Sequence, residues 1–123
     1  MATVALTAEG FGETVTRSGI TLVDFWAEWC GPCRQFGPIF EAASDANPDV
    51  TFGKVDTEVE QELAGAAGIT SIPTLMAFRD GVLVFSQAGA LPGPALEQLI
   101  TAVRGLDMDE VHAAVAAQSG AGE

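Results

Sequence analysis

Cys30 and Cys33 are the two cysteines of the 123-residue chain, and only Gly31 and Pro32 separate them. In a chain that alternates strand and helix patterns, this spacing is typical of a redox-active pair. A four-cysteine zinc site would need a second pair, and the single histidine, His112, lies far away in the sequence. We therefore expect a reversible disulfide and no metal site.

A helix is predicted to begin at the cysteine pair. Apolar residues follow it at the spacing of one helical face, namely Phe36, Ile39, Phe40 and Ala43. Unpaired N–H groups and the positive end of the helix dipole stabilise a thiolate at this position, and the thiolate is the nucleophile. We predict that Cys30 attacks and that Cys33, in the first turn, resolves. The alternative is a pair of buried, inert cysteines.

Asp24 interrupts an apolar run, Ile20–Trp26, that indicates a strand covered on both faces. A carboxyl group buried there needs a charged partner or must stay protonated. Lys54 is the one basic residue in a strand-like context that could approach it. We predict that Asp24 takes the proton of Cys33 during resolution, through water. The alternative is a strand-edge carboxylate that reaches solvent.

Local signals along the chain place further elements. Thr7 is expected to cap a first helix, and Thr51–Asp56 has the pattern of a strand. Residues 57–60 match a capping box at the start of a short helix. Asp80 and Gly81, between two apolar runs, predict an antiparallel hairpin.

The final part of the chain predicts one amphipathic helix, introduced by Pro92 and Pro94 and ending near Gly105. Asp107 or Asp109 could cap a further short helix, followed by a frayed tail from Ser119. Together these elements predict an α/β fold with three layers, α/β/α, in which helices flank a central mixed β-sheet.

The net charge of the chain limits the classes of partner that it can bind. Seventeen carboxylates face five basic side chains, and the net charge is −12. A surface of this sign repels phosphate backbones, so we expect no nucleic-acid ligand. Apolar runs stay well short of the roughly 20 residues that span a bilayer, and no secretory leader is recognisable. We therefore expect a cytoplasmic protein that does not associate with membranes.

The residues around the cysteines resemble the thioredoxin family. The resemblance rests on the stretch from Val23 to Cys33, which ends in Trp-Cys-Gly-Pro-Cys, and on Ser-Ile-Pro-Thr at positions 71–74. It extends over residues 3–105. The resemblance implies the thioredoxin fold and a dithiol–disulfide exchange that reduces protein disulfides.

The family also implies roles for individual residues. A flat apolar substrate surface corresponds to Trp29, Gly31, Pro32, Ile72, Pro73, Gly89 and Ala90. The sequence alone favours a trans peptide before Pro73, whereas the family implies a cis peptide that exposes the Ile72 backbone to an extended substrate.

Four other residues have counterparts in the family. Trp26 corresponds to a tryptophan packed beneath the active site, and Pro38 to a kink in the helix. Asp24 and Lys54 correspond to a buried acid and its lysine partner, in agreement with the proton transfer argued above.

The resemblance further implies that electrons come from NADPH through a separate flavoprotein, a thioredoxin reductase, with no cofactor bound by the chain itself. Disulfide-containing proteins are the expected substrates, and a monomer is expected. Residues 1–106 would form the thioredoxin domain and 107–123 a C-terminal extension, either a packed helix or a link to further domains. The alternative function is a binding or chaperone module that uses the apolar surface without turnover.

Overall fold

A five-stranded mixed sheet forms the centre of the computed structural model, which describes residues 2–121. The strands are β1 (Thr3–Ala5), β2 (Ile20–Trp26), β3 (Thr51–Asp56), β4 (Thr74–Arg79) and β5 (Val82–Ala88). They lie in the order β1-β3-β2-β4-β5. The first three are mutually parallel, whereas β4 and β5 run antiparallel to their neighbours. The sequence analysis did not predict β1.

Five helices flank the sheet or follow it in this part of the chain. They are α1 (Ala8–Val15), α2 (Gly31–Ala46), α3 (Gln61–Ala66), α4 (Gly93–Arg104) and α5 (Met108–Ala121). Helices α2 and α4 pack on one face of the sheet, and α1 and α3 on the other. This arrangement confirms the predicted three-layer α/β fold.

The central strand β2 is buried on both faces because its side chains alternate between two cores. Leu22 packs with Phe36 and Phe40 of α2 on one face. Phe25 packs on the other face with Phe11 of α1, and their ring centroids are 6.2 Å apart. A strand of this kind reads as a continuous apolar run, and Asp24 is the exception within it.

The hairpin between β4 and β5 is confirmed. Asp80 and Gly81 have φ angles of 52° and 84°, the left-handed values that a two-residue hairpin turn requires. The Asp80 carboxylate also accepts a hydrogen bond from the backbone N–H of Gly19, at 2.7 Å. This contact ties the turn to the beginning of β2.

Two predicted helix caps differ from the structure. Thr7 stands at the N-cap of α1, but its side chain makes no capping hydrogen bond. The capping box at residues 57–60 was wrong, because α3 begins at Gln61. The Thr57 hydroxyl instead donates to the carbonyl of Trp26, at 3.0 Å. A tertiary contact therefore takes the hydroxyl that the local pattern assigned to the helix.

The last helix, α5, is capped by Asp107, whose Oδ1 accepts from the N–H groups of Asp109 and Glu110 at 3.0 and 3.2 Å. The helix continues to Ala121, further than the short helix and frayed tail expected, and residues 122–123 of that tail lie outside the described residues. Its side chains are mostly exposed from His112 to Gln118. No helix within residues 2–121 is long and apolar enough to cross a membrane.

Candidate active site

The cysteine pair stands where β2 leads into α2, and a disulfide joins Cys30 to Cys33 with their Cα atoms 5.2 Å apart. Cys30 is the N-cap residue of α2, and its Sγ accepts a hydrogen bond from the backbone N–H of Cys33 at 3.2 Å. A sulfur therefore occupies the place that a serine or aspartate oxygen usually takes at a helix N-terminus. The same N–H would stabilise a thiolate on Cys30 after reduction.

Both cysteines are largely covered, with 4% of each exposed. They form a small cluster with Ala27, against which Trp26 and Ile72 pack. The carbonyl oxygen of Ile72 lies 3.7 Å from Cys30 Sγ. Backbone from the loop before β4, the strand adjacent to β2, therefore lies against the Cys30 sulfur.

The loop that begins β4 forms one wall of the site. The Ile72–Pro73 peptide is cis, in agreement with the expectation from the family rather than from the sequence alone. The Pro73 carbonyl accepts from the N–H of Gly89 at 2.8 Å, and Gly89 has a φ of 103°, which favours glycine. Gly89 and its exposed neighbour Ala90 are thereby held beside the same loop as Ile72 and Pro73.

Trp29 is the prominent apolar side chain at the entrance to the disulfide, with 65% of it exposed. A groove of about 320 Å³ extends from it along the 69–72 loop. The groove is lined by Trp29, Thr57, Ala64, Ile69, Thr70, Ser71 and Ile72. Trp29 and Ile72, two of the residues expected in the substrate surface, are thus brought together.

Glu58 is a site residue that the sequence analysis missed. Its Oε1 accepts a hydrogen bond from the Trp29 indole N–H at 2.6 Å. Its own backbone N–H donates to Asp56 Oδ1 at 2.9 Å, and its carbonyl accepts from Gln61 Nε2 at 3.0 Å. The loop after β3 therefore holds the indole. No sequence signal indicated this contact, because an exposed indole N–H can bond to water and needs no acceptor from the protein.

Asp24 is fully buried, which excludes the alternative of a strand-edge carboxylate reaching solvent. It pairs in register with Lys54 on β3 and with Leu75 on β4. Burial raises the pKa of Asp24 from 3.8 to about 7, although the positive charge of Lys54 acts in the opposite direction. At neutral pH this carboxyl group is therefore poised between its two protonation states.

Lys54 lies near Asp24 as predicted, but it is not hydrogen-bonded to it. Neither carboxyl oxygen of Asp24 has a hydrogen-bond partner among residues 2–121. The Lys54 ammonium instead lies 4.8 Å from the centroid of the Trp26 ring. The influence of Lys54 on Asp24 is therefore that of a nearby charge and not of a closed ion pair.

A second cavity, of about 170 Å³, opens beside Cys33. Its lining includes Cys33, Trp26, Lys54, Arg34, Glu28, Ala27 and Gly37. The Arg34 guanidinium donates to the carbonyl of Glu28 at 3.3 Å, which links the first turn of α2 to the preceding loop. The cavity brings Cys33 and Lys54 to one space beside Trp26.

The remaining expectations concern Pro38 and metals. Helix α2 continues through Pro38, which is exposed and supplies no N–H to the helix. A kink there remains a prediction. Within residues 2–121, no group of three His, Cys, Asp or Glu side chains is placed to hold a metal ion.

A disulfide at a helix N-terminus, flanked by a cis-proline loop on a mixed sheet, defines a thiol–disulfide oxidoreductase. The thioredoxin family model matches residues 2–102. The chain belongs to the thioredoxin family, whose members act on protein disulfides.

Individual relatives agree with this assignment. The chain is 62% identical over 116 residues to a putative thioredoxin 2 of Streptomyces coelicolor, covering 94% of this chain and 87% of that relative. It is 40% identical to the thioredoxin of Bacillus subtilis, covering 81% and 96% of the two chains. The solved structure of Plasmodium falciparum thioredoxin superposes with a TM-score of 0.73 at 33% identity, covering 80% of this chain and 96% of that one.

Proposed function

We propose that the chain reduces protein disulfides in a cycle in which Cys30 attacks and Cys33 resolves. The hydrogen bond from the Cys33 N–H to Cys30 Sγ carries this assignment, because it favours negative charge on Cys30 in the reduced protein. Cys33 lies one helical turn further on, against the Asp24 side of the sheet, where a thiol would keep its proton until a base takes it.

In the first step the Cys30 thiolate attacks one sulfur of the substrate disulfide. A Cys30–substrate disulfide forms, and the other substrate sulfur leaves as a thiolate. In the second step Asp24 accepts the proton of Cys33, and the Cys33 thiolate attacks Cys30 Sγ. The intramolecular disulfide forms, the second substrate thiolate leaves, and two electrons have passed from the chain to the substrate.

The exposed residues beside the disulfide would bind the substrate. The Ile72 backbone, beside Cys30 Sγ, would pair with an extended segment, and Trp29 would contact the side chains that flank the substrate cysteine. The same surface would include Gly31, Pro32, Pro73, Gly89 and Ala90. Trp26 would support this surface from beneath, and Pro38 would support it from within α2.

The oxidised pair must be reduced again for turnover. We propose that a separate flavoprotein, a thioredoxin reductase, supplies electrons from NADPH and that the chain itself binds no cofactor. Such a cycle belongs in a reducing compartment, which supports a cytoplasmic location. We also propose that the protein acts as a monomer whose domain ends at residue 106, with 107–123 as an extension.

The test is insulin reduction driven by dithiothreitol, with wild type, Cys30→Ser and Asp24→Asn compared. We expect rapid insulin precipitation with the wild type and none above background with Cys30→Ser. Asp24→Asn should slow resolution more than the initial attack. Equal rates for wild type and Cys30→Ser would disprove the reductase assignment. Cysteine-independent suppression of aggregation would support a chaperone instead.

A further inference from the structure

Lys54 lies between two groups that could hold its positive charge. It pairs in register with Asp24 on neighbouring parallel strands, so both side chains leave the sheet on the same face. Trp26 is two residues further along β2 and therefore shares that face. The ammonium is found 4.8 Å from the indole centroid, while both oxygens of Asp24 lack hydrogen-bond partners in the described part of the chain.

The indole face is a suitable site for an ammonium ion. A cation within about 6 Å of an aromatic centroid is attracted by the negative face of the ring, most strongly for tryptophan. A protonated, neutral Asp24 competes only weakly for the same cation. Once Asp24 ionises, Lys54 can approach it only by giving up the indole contact.

Few other charges face Asp24. From β3 the facing groups are Lys54 and, at the next position on the same face, Asp56. On α2 and the loop before it, Cys33, Arg34 and Glu28 line a cavity together with Lys54 and Trp26. From β4 the in-register residue is Leu75, which is apolar. Lys54 is the charge that lowers the pKa of Asp24, against the larger effect of burial, so its position affects how strongly Asp24 holds a proton.

We propose that Trp26 is a positioning residue that holds the Lys54 ammonium on its indole face and away from Asp24, so that Asp24 remains an effective proton acceptor for Cys33. Its part in resolution rests on the proposed function, whereas the charge arrangement can be measured without any substrate. A lysine that closed onto Asp24 would stabilise the carboxylate and weaken it as a base.

The test is an NMR titration of the ¹³C-labelled Asp24 carboxyl group in the oxidised protein. Trp26→Phe keeps an aromatic face, while Trp26→Met fills much of the volume without a ring. Each is measured with Lys54 present and with Lys54→Met. We expect Trp26→Met to lower the titration midpoint of Asp24 by about one pH unit, a tenfold change in its ionisation equilibrium. Trp26→Phe should stay close to wild type, and the effect should vanish in the Lys54→Met background.

Two results would overturn the proposal. One is an unchanged midpoint in Trp26→Met. The other is an equal drop with and without Lys54, which would mean that water entering the site, and not the lysine, stabilises the carboxylate. Loss of insulin reduction with the Lys54-dependent shift intact would instead count against the proposed function alone.

If Trp26→Met fails to fold, the chemical shifts of the Lys54 side-chain protons in the wild type provide a second test. An ammonium above an indole places the last methylene of Lys54 in the ring current, which moves its proton resonances upfield. We expect this upfield shift both at pH 5 and at pH 8.5. Its disappearance as Asp24 ionises would show that the lysine has moved to the carboxylate, and the proposal would fall.

Discussion

The sulfur of Cys30 fills the position that an oxygen atom usually takes at the beginning of a helix. Its hydrogen bond from the Cys33 N–H is present in the disulfide form and needs no rearrangement to stabilise a thiolate. Cys33 has no equivalent position, because it lies inside the first turn, where it packs with Cys30 and Ala27. This difference in position supports the proposed division of roles between the two sulfurs.

Replacing Cys33 with serine should leave the attack intact and remove the resolving thiol. We expect a stable mixed disulfide between Cys30 and a substrate protein, detected as an added mass that dithiothreitol removes. Cys30→Ser is the matched control and should trap little or nothing. Trapping by Cys30→Ser equal to that by Cys33→Ser would reverse the assignment of the two cysteines.

Asp24 should make the oxidised protein less stable as the pH rises. Its pKa is about 7 in the folded chain and near 3.8 when exposed, so between these values the folded state binds one more proton than the unfolded state. The contribution of Asp24 to stability is therefore largest below pH 4, falls between pH 4 and 7, and then levels off. The folded and unfolded pKa values of Asp24 differ by about three pH units, which corresponds to a decrease of at most about 4 kcal/mol in the free energy of unfolding.

Urea unfolding of wild type and Asp24→Asn across pH 4 to 8.5 checks this expectation. The asparagine variant should lose the part of the pH dependence centred between 4 and 7 and be the more stable protein at pH 8. Parallel pH profiles for the two proteins would contradict a raised pKa at Asp24.

Residue types alone were enough to predict the cysteine pair and the buried acid, because each is chemically out of place in its surroundings. The contacts of Glu58 and of Lys54 were not predictable in this way. Glu58 meets Trp29 across a separation of 29 residues, and the cation–π contact depends on strand register, which pattern analysis does not fix.

Among the secondary-structure elements, those with a long, regular apolar pattern were predicted correctly, whereas a short strand and a short capping motif were not. β3 and the hairpin agree with the prediction because an apolar run bounded by turn residues has few other solutions. β1 was not predicted because it has only three residues, two of them exposed, and so shows almost no alternation of apolar and polar side chains. The cap predicted at Thr57 is absent because the Thr57 hydroxyl donates to the Trp26 carbonyl, a contact distant in sequence that the local motif does not indicate.

Helix α5 lies beyond the family model, which ends at residue 102. The match to the Streptomyces coelicolor relative covers 94% of this chain, so it must extend into α5, beyond the end of the family model. The extension is therefore shared with at least one relative. Because its side chains are mostly exposed, it contributes little to the core of the domain.

Deleting residues 107–123 should leave insulin reduction unchanged and lower the free energy of unfolding by no more than about 1 kcal/mol. Leu106→Ala in the full chain is the matched control, since Leu106 packs against the core beside α4. That change should cost about 1–3 kcal/mol. Urea denaturation compares the two, and a larger loss from the deletion than from Leu106→Ala would make α5 part of the domain.

At the scale of the whole molecule, the net charge of −12 is a source of self-repulsion that the fold must overcome. Raising NaCl from 0.02 to 0.5 M at pH 7.5 should increase the free energy of unfolding by on the order of 1 kcal/mol, because salt screens exposed charges. The same change near pH 4, where many carboxylates are protonated, should have a smaller effect. Equal salt effects at the two pH values would point to a cause other than charge.

The two edge strands of the sheet affect how readily the protein aggregates. A long, flat edge strand offers unpaired N–H and C=O groups that template fibril growth and runaway association between copies. Here one edge, β1, is three residues long, and the other, β5, is displaced from regular pairing by a bulge near Ala77 and Phe78 of β4. Both features discourage strand-by-strand stacking, so the sheet of this protein is a poor template for fibril growth.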